Sequence, residues 1–158
     1  MNLNETIKLF EQIKKEWSED CKIDFQFKNK EYTEDLANVA LNIPYQHNKY
    51  LNYYSDLQQE KLHRELLLKK LIRSKREYYG GEADGKIYKE KPLGSYIKTA
   101  EKMKTFLEGD DDILALEGHI KCIDQVLYYV DNVMKQITNR GFQVKSAIEW
   151  EKFINGVT

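Results

Sequence analysis

The densest chemistry in the chain is cationic. Lys61, Arg64, Lys69, Lys70, Arg73, Lys75 and Arg76 are seven positive residues in a run of sixteen, opposed by Glu65 alone. At about 100° per residue, Lys69, Arg73 and Arg76 share one face of a helix. Tyr78 and Tyr79 follow directly, and Gly80 and Gly81 come next. Cations that pair with phosphates, beside rings that can stack on bases, are what single-stranded nucleic acid binding requires. The same run also reads as a solvated helix face with basic residues near its C-terminal dipole. Charge patterning alone favours this plainer reading.

Other candidate sites are weaker. Gly80 and Gly85-Lys86 nearly match a phosphate-binding loop, but Ile87 replaces the hydroxyl that would hold Mg²⁺. The segment also follows an expected helix, where the motif needs a strand. Glu108-Gly109-Asp110-Asp111-Asp112 clusters carboxylates without the spacing of a Ca²⁺ loop, and helix capping accounts for it. His47, His63 and His119 have no metal-ligand spacing with each other or with Cys21 and Cys122. No nucleophile–base signature is present. These residues predict no catalysis, no cofactor and no metal.

The elements that must carry these residues are helical. Over 158 residues there are only two Pro and eight Gly, with many Glu, Lys and Leu. Hydrophobic residues make up 41% and charged residues 32%, a globular composition large enough for a real core. The net charge of −1 supplies no global field toward nucleic acid, so any such site must be a local patch. Two distant cysteines read as free thiols in a reducing compartment. No apolar run is long enough to span a membrane, and no signal peptide is expected.

Ile7, Phe10, Ile13 and Trp17 predict a short amphipathic helix capped near Asn2 or Asn4. Residues 18–30 are mixed and polar. The alternation over 23–27 suits at most one short strand, and a loop or edge element is expected. A helix starts around Thr33, and Pro44 should stop or kink it. From Tyr45 to about Tyr78 one long helix is expected, ending at Gly80-Gly81. Residues 80–94 read as a surface loop, and a further helix follows from Ser95.

Ile113, Leu116, Ile120, Ile123, Leu127, Val130, Met134 and Ile137 alternate steps of three and four, an a/d seam. Such a seam serves either a bundle core or another subunit. Asn139-Arg140-Gly141 should close this helix, and a last one should run from about Phe142 to Ile154. Val144, Ile148, Trp150, Phe153 and Ile154 spread over much of its circumference, so it needs more than one surface to bury it.

One stretch carries a family resemblance. Leu71-Ile72-Arg73-Ser74-Lys75-Arg76-Glu77-Tyr78-Tyr79-Gly80-Gly81, followed by Ala83-Asp84-Gly85, resembles the central motif of the UvsY family, the recombination mediators of T4-like bacteriophages. Lys49-Tyr50-Leu51-Asn52 and Glu60-Lys61-Leu62 upstream are similar as well. So are Glu101-Lys102-Met103-Lys104-Thr105 and Ile137-Thr138-Asn139-Arg140-Gly141-Phe142 downstream. The resemblance covers about residues 40–156, and the first twenty or so look like an addition.

The resemblance implies a single-stranded-DNA-binding protein that helps load a RecA-like recombinase of the UvsX type. The loading is onto strands coated by the phage single-stranded-DNA-binding protein, in the cytoplasm of the infected host. It implies a ring-shaped homo-oligomer of about six or seven subunits, a closed assembly, built through the C-terminal region. The family's basic pair falls on Arg73 and Lys75, with Lys and Arg exchanged and Arg76 added. Charge is kept, although the two side chains differ in geometry. A straight helix points Arg73 and Lys75 about 200° apart.

The fold expected is all-α, an elongated helical bundle with one long basic-ended helix, a coiled-coil-like helix and a C-terminal oligomerisation helix. Residues 1–30 would be an N-terminal extension and 31–158 the UvsY-like domain. DNA contacts are expected at Lys69, Lys70, Arg73, Lys75, Arg76, Tyr78 and Tyr79, and assembly at Val144, Ile148, Trp150, Phe153 and Ile154. The rival is a helical oligomeric adaptor that binds only proteins, with the basic patch docking an acidic tail.

Overall fold

The computed structural model describes residues 1–24, 32–154 and 156. Among these residues five helices follow in order: α1 (Leu3–Asp24), α2 (Tyr32–Gly80), α3 (Gly85–Glu90), α4 (Ala100–Glu108) and α5 (Asp111–Ile154). No strand occurs among the described residues. The strand considered over 23–27 is overtaken at its start by α1, and residues 25–27 lie outside the described residues. No helix among the described residues is long and apolar enough to cross a membrane.

The chain forms two compact units. The first comprises Met1–Gln58 and Asp124–Thr158, and the second Gln59–Ile123. Helices α2 and α5 contribute to both.

In the first unit, α1 opens with a capping box. Asn2 Oδ1 accepts from the Glu5 amide at 2.9 Å, and the Asn2 amide donates to Glu5 Oε2 at 2.7 Å. Ile13 is fully buried, Phe10 meets Tyr129 edge-on at 5.4 Å, and Trp17 meets Tyr50 edge-on at 5.6 Å. Lys49 joins the same face, bridging Glu16 at 2.9 Å and Asp20 at 3.1 Å. Helix α1 is thus longer than its apolar repeat predicts, because its second half is fastened by charges and rings.

Two local breakers lose to burial. Pro44 neither ends α2 nor marks its start. An interior proline costs about 3 kcal/mol, but Gln46, Tyr50 and Leu57 are buried beyond it. Each large apolar side chain so placed is worth about 1.5–3 kcal/mol. Gly141 likewise does not close the helix of the seam, because α5 runs through it to Ile154. Ile123, Val130, Ile137 and Val144, seven residues apart, are all buried. The stripe therefore crosses the glycine, and Val144 outweighs the roughly 1 kcal/mol penalty of Gly in a helix. The separate last helix expected from Phe142 is the end of α5.

The second unit corrects the loop at 80–94. Gly81, at φ +87°, ends α2 with paired hydrogen bonds, Gly81 N–H to Tyr78 O at 3.3 Å and Glu82 N–H to Glu77 O at 2.8 Å. Asp84 then caps α3, accepting from the Lys86 amide at 2.9 Å. Helix α4 starts at Ala100 and not Ser95, because the preceding segment is tied to the end of α2. The Ile97 amide donates to Tyr79 O at 2.9 Å.

Candidate nucleic-acid interface

The basic run lies in the second unit, on the last turns of α2. Lys69, Lys70, Arg73 and Arg76 are exposed. Lys69, Arg73 and Arg76 share one face, as their spacing predicts. Arg73 leans on Glu77 at 3.0 Å one turn away, yet its side chain stays 83% exposed. Such an i,i+4 pair contributes little and orders the guanidinium without consuming it.

Lys75 is differently placed. Its side chain is 22% exposed, and its Nζ meets Asp110 at 2.9 Å and Asp112 as well. Asp110 is the hub. One of its oxygens caps α5, accepting from the amides of Asp112 at 3.1 Å and Ile113 at 3.2 Å. The other accepts the Tyr79 hydroxyl at 2.6 Å. Burial works to raise the Asp110 pKa, but the hydrogen bonds from Tyr79, Lys75 and the Ile113 amide, with the Lys75 charge, hold it below the ordinary value. For Lys75, burial works downward, and its two carboxylates overcome it and raise the pKa. Burial, then the Asp110 bond and charge, push the Tyr79 phenol up to about 12. The acidic cluster read as a helix cap is therefore also the counter-ion of one of the cations.

The two tyrosines are part of the local fold. Tyr78 stacks on Tyr88 with centroids 5.5 Å apart and planes 15° apart, and its hydroxyl donates to Lys91 O at 3.1 Å. Tyr79 meets Phe106 edge-on at 5.7 Å. The Tyr88 hydroxyl donates to Tyr78 O at 2.8 Å and accepts from the Ala83 amide at 3.2 Å. Tyr88 and Tyr96 meet edge-on at 5.7 Å. Sequence reading left Tyr88 in a surface loop and put Tyr96 on the helix expected from Ser95, and linked neither ring to the site.

The residues assigned to assembly divide. Val144 is buried in the chain's own first unit, and Ile148 is half-buried. Trp150 at 64%, Phe153 at 76% and Ile154 at 64% exposure remain open, with the Trp150 and Phe153 rings stacked at 5.9 Å. Phe142 is exposed too.

Known proteins are similar to this chain in sequence and fold. Residues 16–157 match the family described as "Recombination, repair and ssDNA binding protein UvsY". The recombination protein uvsY of Enterobacteria phage T4 is 28% identical over 121 residues, covering 77% of this chain and 85% of that protein. A crystal structure of the bacteriophage T4 recombination mediator protein UvsY superposes with a TM-score of 0.73 at 24% identity, covering 91% of this chain and 98% of the other. A second lattice form gives 0.68 at 23% identity, covering 87% and 98%. The match along nearly the whole length, on the same all-helical fold, means that the chain belongs to the UvsY family of recombination, repair and single-stranded-DNA-binding proteins.

Proposed function

We propose that this protein is a non-catalytic mediator, acting in the cytoplasm of an infected host. In this reading it binds single-stranded DNA and helps a RecA-like recombinase of the UvsX type onto strands coated by the phage single-stranded-DNA-binding protein. The reading is carried by one observation: Lys69, Arg73 and Arg76 form an exposed cationic row on one face of α2, in a family described as single-stranded-DNA-binding. Lys70 flanks the row. Lys75 joins it where the strand competes with Asp110 and Asp112 for its ammonium. Tyr78 and Tyr79 act by shaping the helix end on which the row sits.

The mechanism is positional. Several copies in a ring, joined through Trp150, Phe153 and Ile154 with Ile148 beside them, would present several rows to one strand. Weak phosphate contacts then add through effective concentration. The strand is held in a shape that disfavours its coat protein, and the energy comes from differential binding.

The test is a fluorescence anisotropy titration with a labelled single-stranded oligonucleotide across a salt series. Each phosphate contact adds about 0.7 to the slope of log K against log salt. Arg73→Ala with Arg76→Ala should weaken binding and flatten that slope by about 1.4, with helicity unchanged. Wild-type protein that fails to bind at low salt would refute the DNA reading in favour of a protein-only adaptor.

A further inference from the structure

Beside the cationic row, the second unit has an open groove of about 520 Å³. Arg76 forms one edge and α4 with its lead-in forms the rest. Ile97, Met103 and Leu107 are half-buried along it. Lys98 and Lys104 stand on its rim. Lys104 reaches Glu108, one turn on, at 3.7 Å. Arg76 and Lys98 make no ion pair among the described residues, so two uncompensated cations flank an apolar trough. Arg76 belongs both to this groove and to the row on α2, so the groove continues the phosphate track.

We propose that this groove takes a nucleobase from the strand held by Arg73 and Arg76, with Lys98 pairing to a neighbouring phosphate. The inference rests on the DNA reading above and adds the place where the strand's apolar part goes. Phosphates fix a strand's path while exposed bases seek apolar surface. In this unit Tyr78 and Tyr79 are turned to each other, to Tyr88 and to Phe106. The trough of Ile97, Met103 and Leu107 is the apolar surface that lies beside the cations. Its flank from Arg76 can also lay a guanidinium plane against a base. Lys98 and Lys104 thereby extend the contact beyond the α2 motif.

The experiment compares a thymidine oligonucleotide with an abasic one of equal length, whose charge is the same. Both compete for the full-length protein in anisotropy measurements. Wild type should prefer the thymidine strand about fourfold or more, the scale of burying one methylene's worth of apolar surface. Ala100→Leu adds aliphatic bulk at an exposed lining position of α4, and should bring the ratio of affinities to about one. Lys98→Ala should lower the salt slope by about 0.7, an independent readout that does not depend on filling the groove. Equal affinity of wild type for both strands overturns the inference, leaves the DNA reading standing, and frees the groove for a protein segment. A ratio that survives Ala100→Leu with helicity intact also overturns it, because the base then lies elsewhere. Binding to neither strand would instead refute the DNA reading itself.

Discussion

Lys75, which the proposed function counts among the DNA-facing cations, is tied into the fold through Asp110, as is Tyr79. The spacing of Arg73 and Lys75 already separates them around a helix, and this much was legible. That Lys75 would find Asp110 and Asp112 was not, because its partners arrive from the cap and first turn of α5, and nothing local to α2 encodes the meeting. Two outcomes are expected. Asp112→Asn leaves Lys75 less tightly held and removes an anion, so affinity for single-stranded DNA should rise about two- to fivefold, the scale of one surface ion pair. In a Lys75→Ala background the gain should shrink, which a double-mutant cycle in anisotropy will read. The second outcome concerns pH. Tyr79 keeps its proton more tightly folded than unfolded, since its phenol is pushed up to about 12 from an ordinary value near 10. Its contribution is therefore fully present below pH 10 and is lost as pH rises toward 12. Tyr79→Phe should cost about 1.5–3 kcal/mol at pH 8, the range for hydrogen bonds to charged groups. That difference from wild type should narrow in urea melts above pH 10.

At the level of helices, apolar periodicity outranked the breakers. The seam from Ile113 to Ile137 marks part of the core face of α5: Ile113, Ile123, Leu127, Val130 and Ile137 are buried, Leu116, Ile120 and Met134 are half-buried, and Val126 and Val133, off the seam, are buried as well. Gly141 and Pro44 suggested boundaries that burial overrode. A local signal of about 1–3 kcal/mol does not end a helix when burial beyond it outweighs the penalty, as Tyr50 and Leu57 do for Pro44 and Val144 does for Gly141. The turns at 80–99 were least legible, since α3 and the tyrosine cluster depend on contacts between segments. The two kinds of glycine should respond oppositely to alanine. At Gly141 a new Cβ would meet only Ile43, at 3.9 Å, in helical backbone. Gly141→Ala should stabilise by about 0.5–1 kcal/mol in urea unfolding. At Gly81 the backbone has φ +87°, and a Cβ would lie 2.8 Å from the Tyr96 ring. Gly81→Ala should destabilise by more than about 1 kcal/mol in the same assay.

For the whole molecule, the feature that bears on partners is the exposed end of α5. The width of the apolar surface there was visible in sequence. Its division was not, because only the structure shows that Val144 is used within the chain while Trp150, Phe153 and Ile154 are left outward. Trp150→Ala with Phe153→Ala removes two large side chains, each worth about 1.5–3 kcal/mol when buried. Sedimentation velocity should then show a smaller species than wild type, with the helical signal retained by the buried stripe of α5. Affinity for DNA should fall although every cation is intact, because linked rows become single ones. An unchanged mass would place the subunit contact elsewhere. The same exposed indole has a spectroscopic consequence. The chain has two tryptophans, Trp17 packed edge-on against Tyr50 and Trp150 open to solvent. Water around an excited indole shifts its emission to the red, so dissociated protein should emit with a long-wavelength component from Trp150. Docking of that face should draw the emission toward the blue and shield it from iodide. Trp150 would thus serve as an intrinsic optical gauge of the proposed association, readable during dilution without any attached dye.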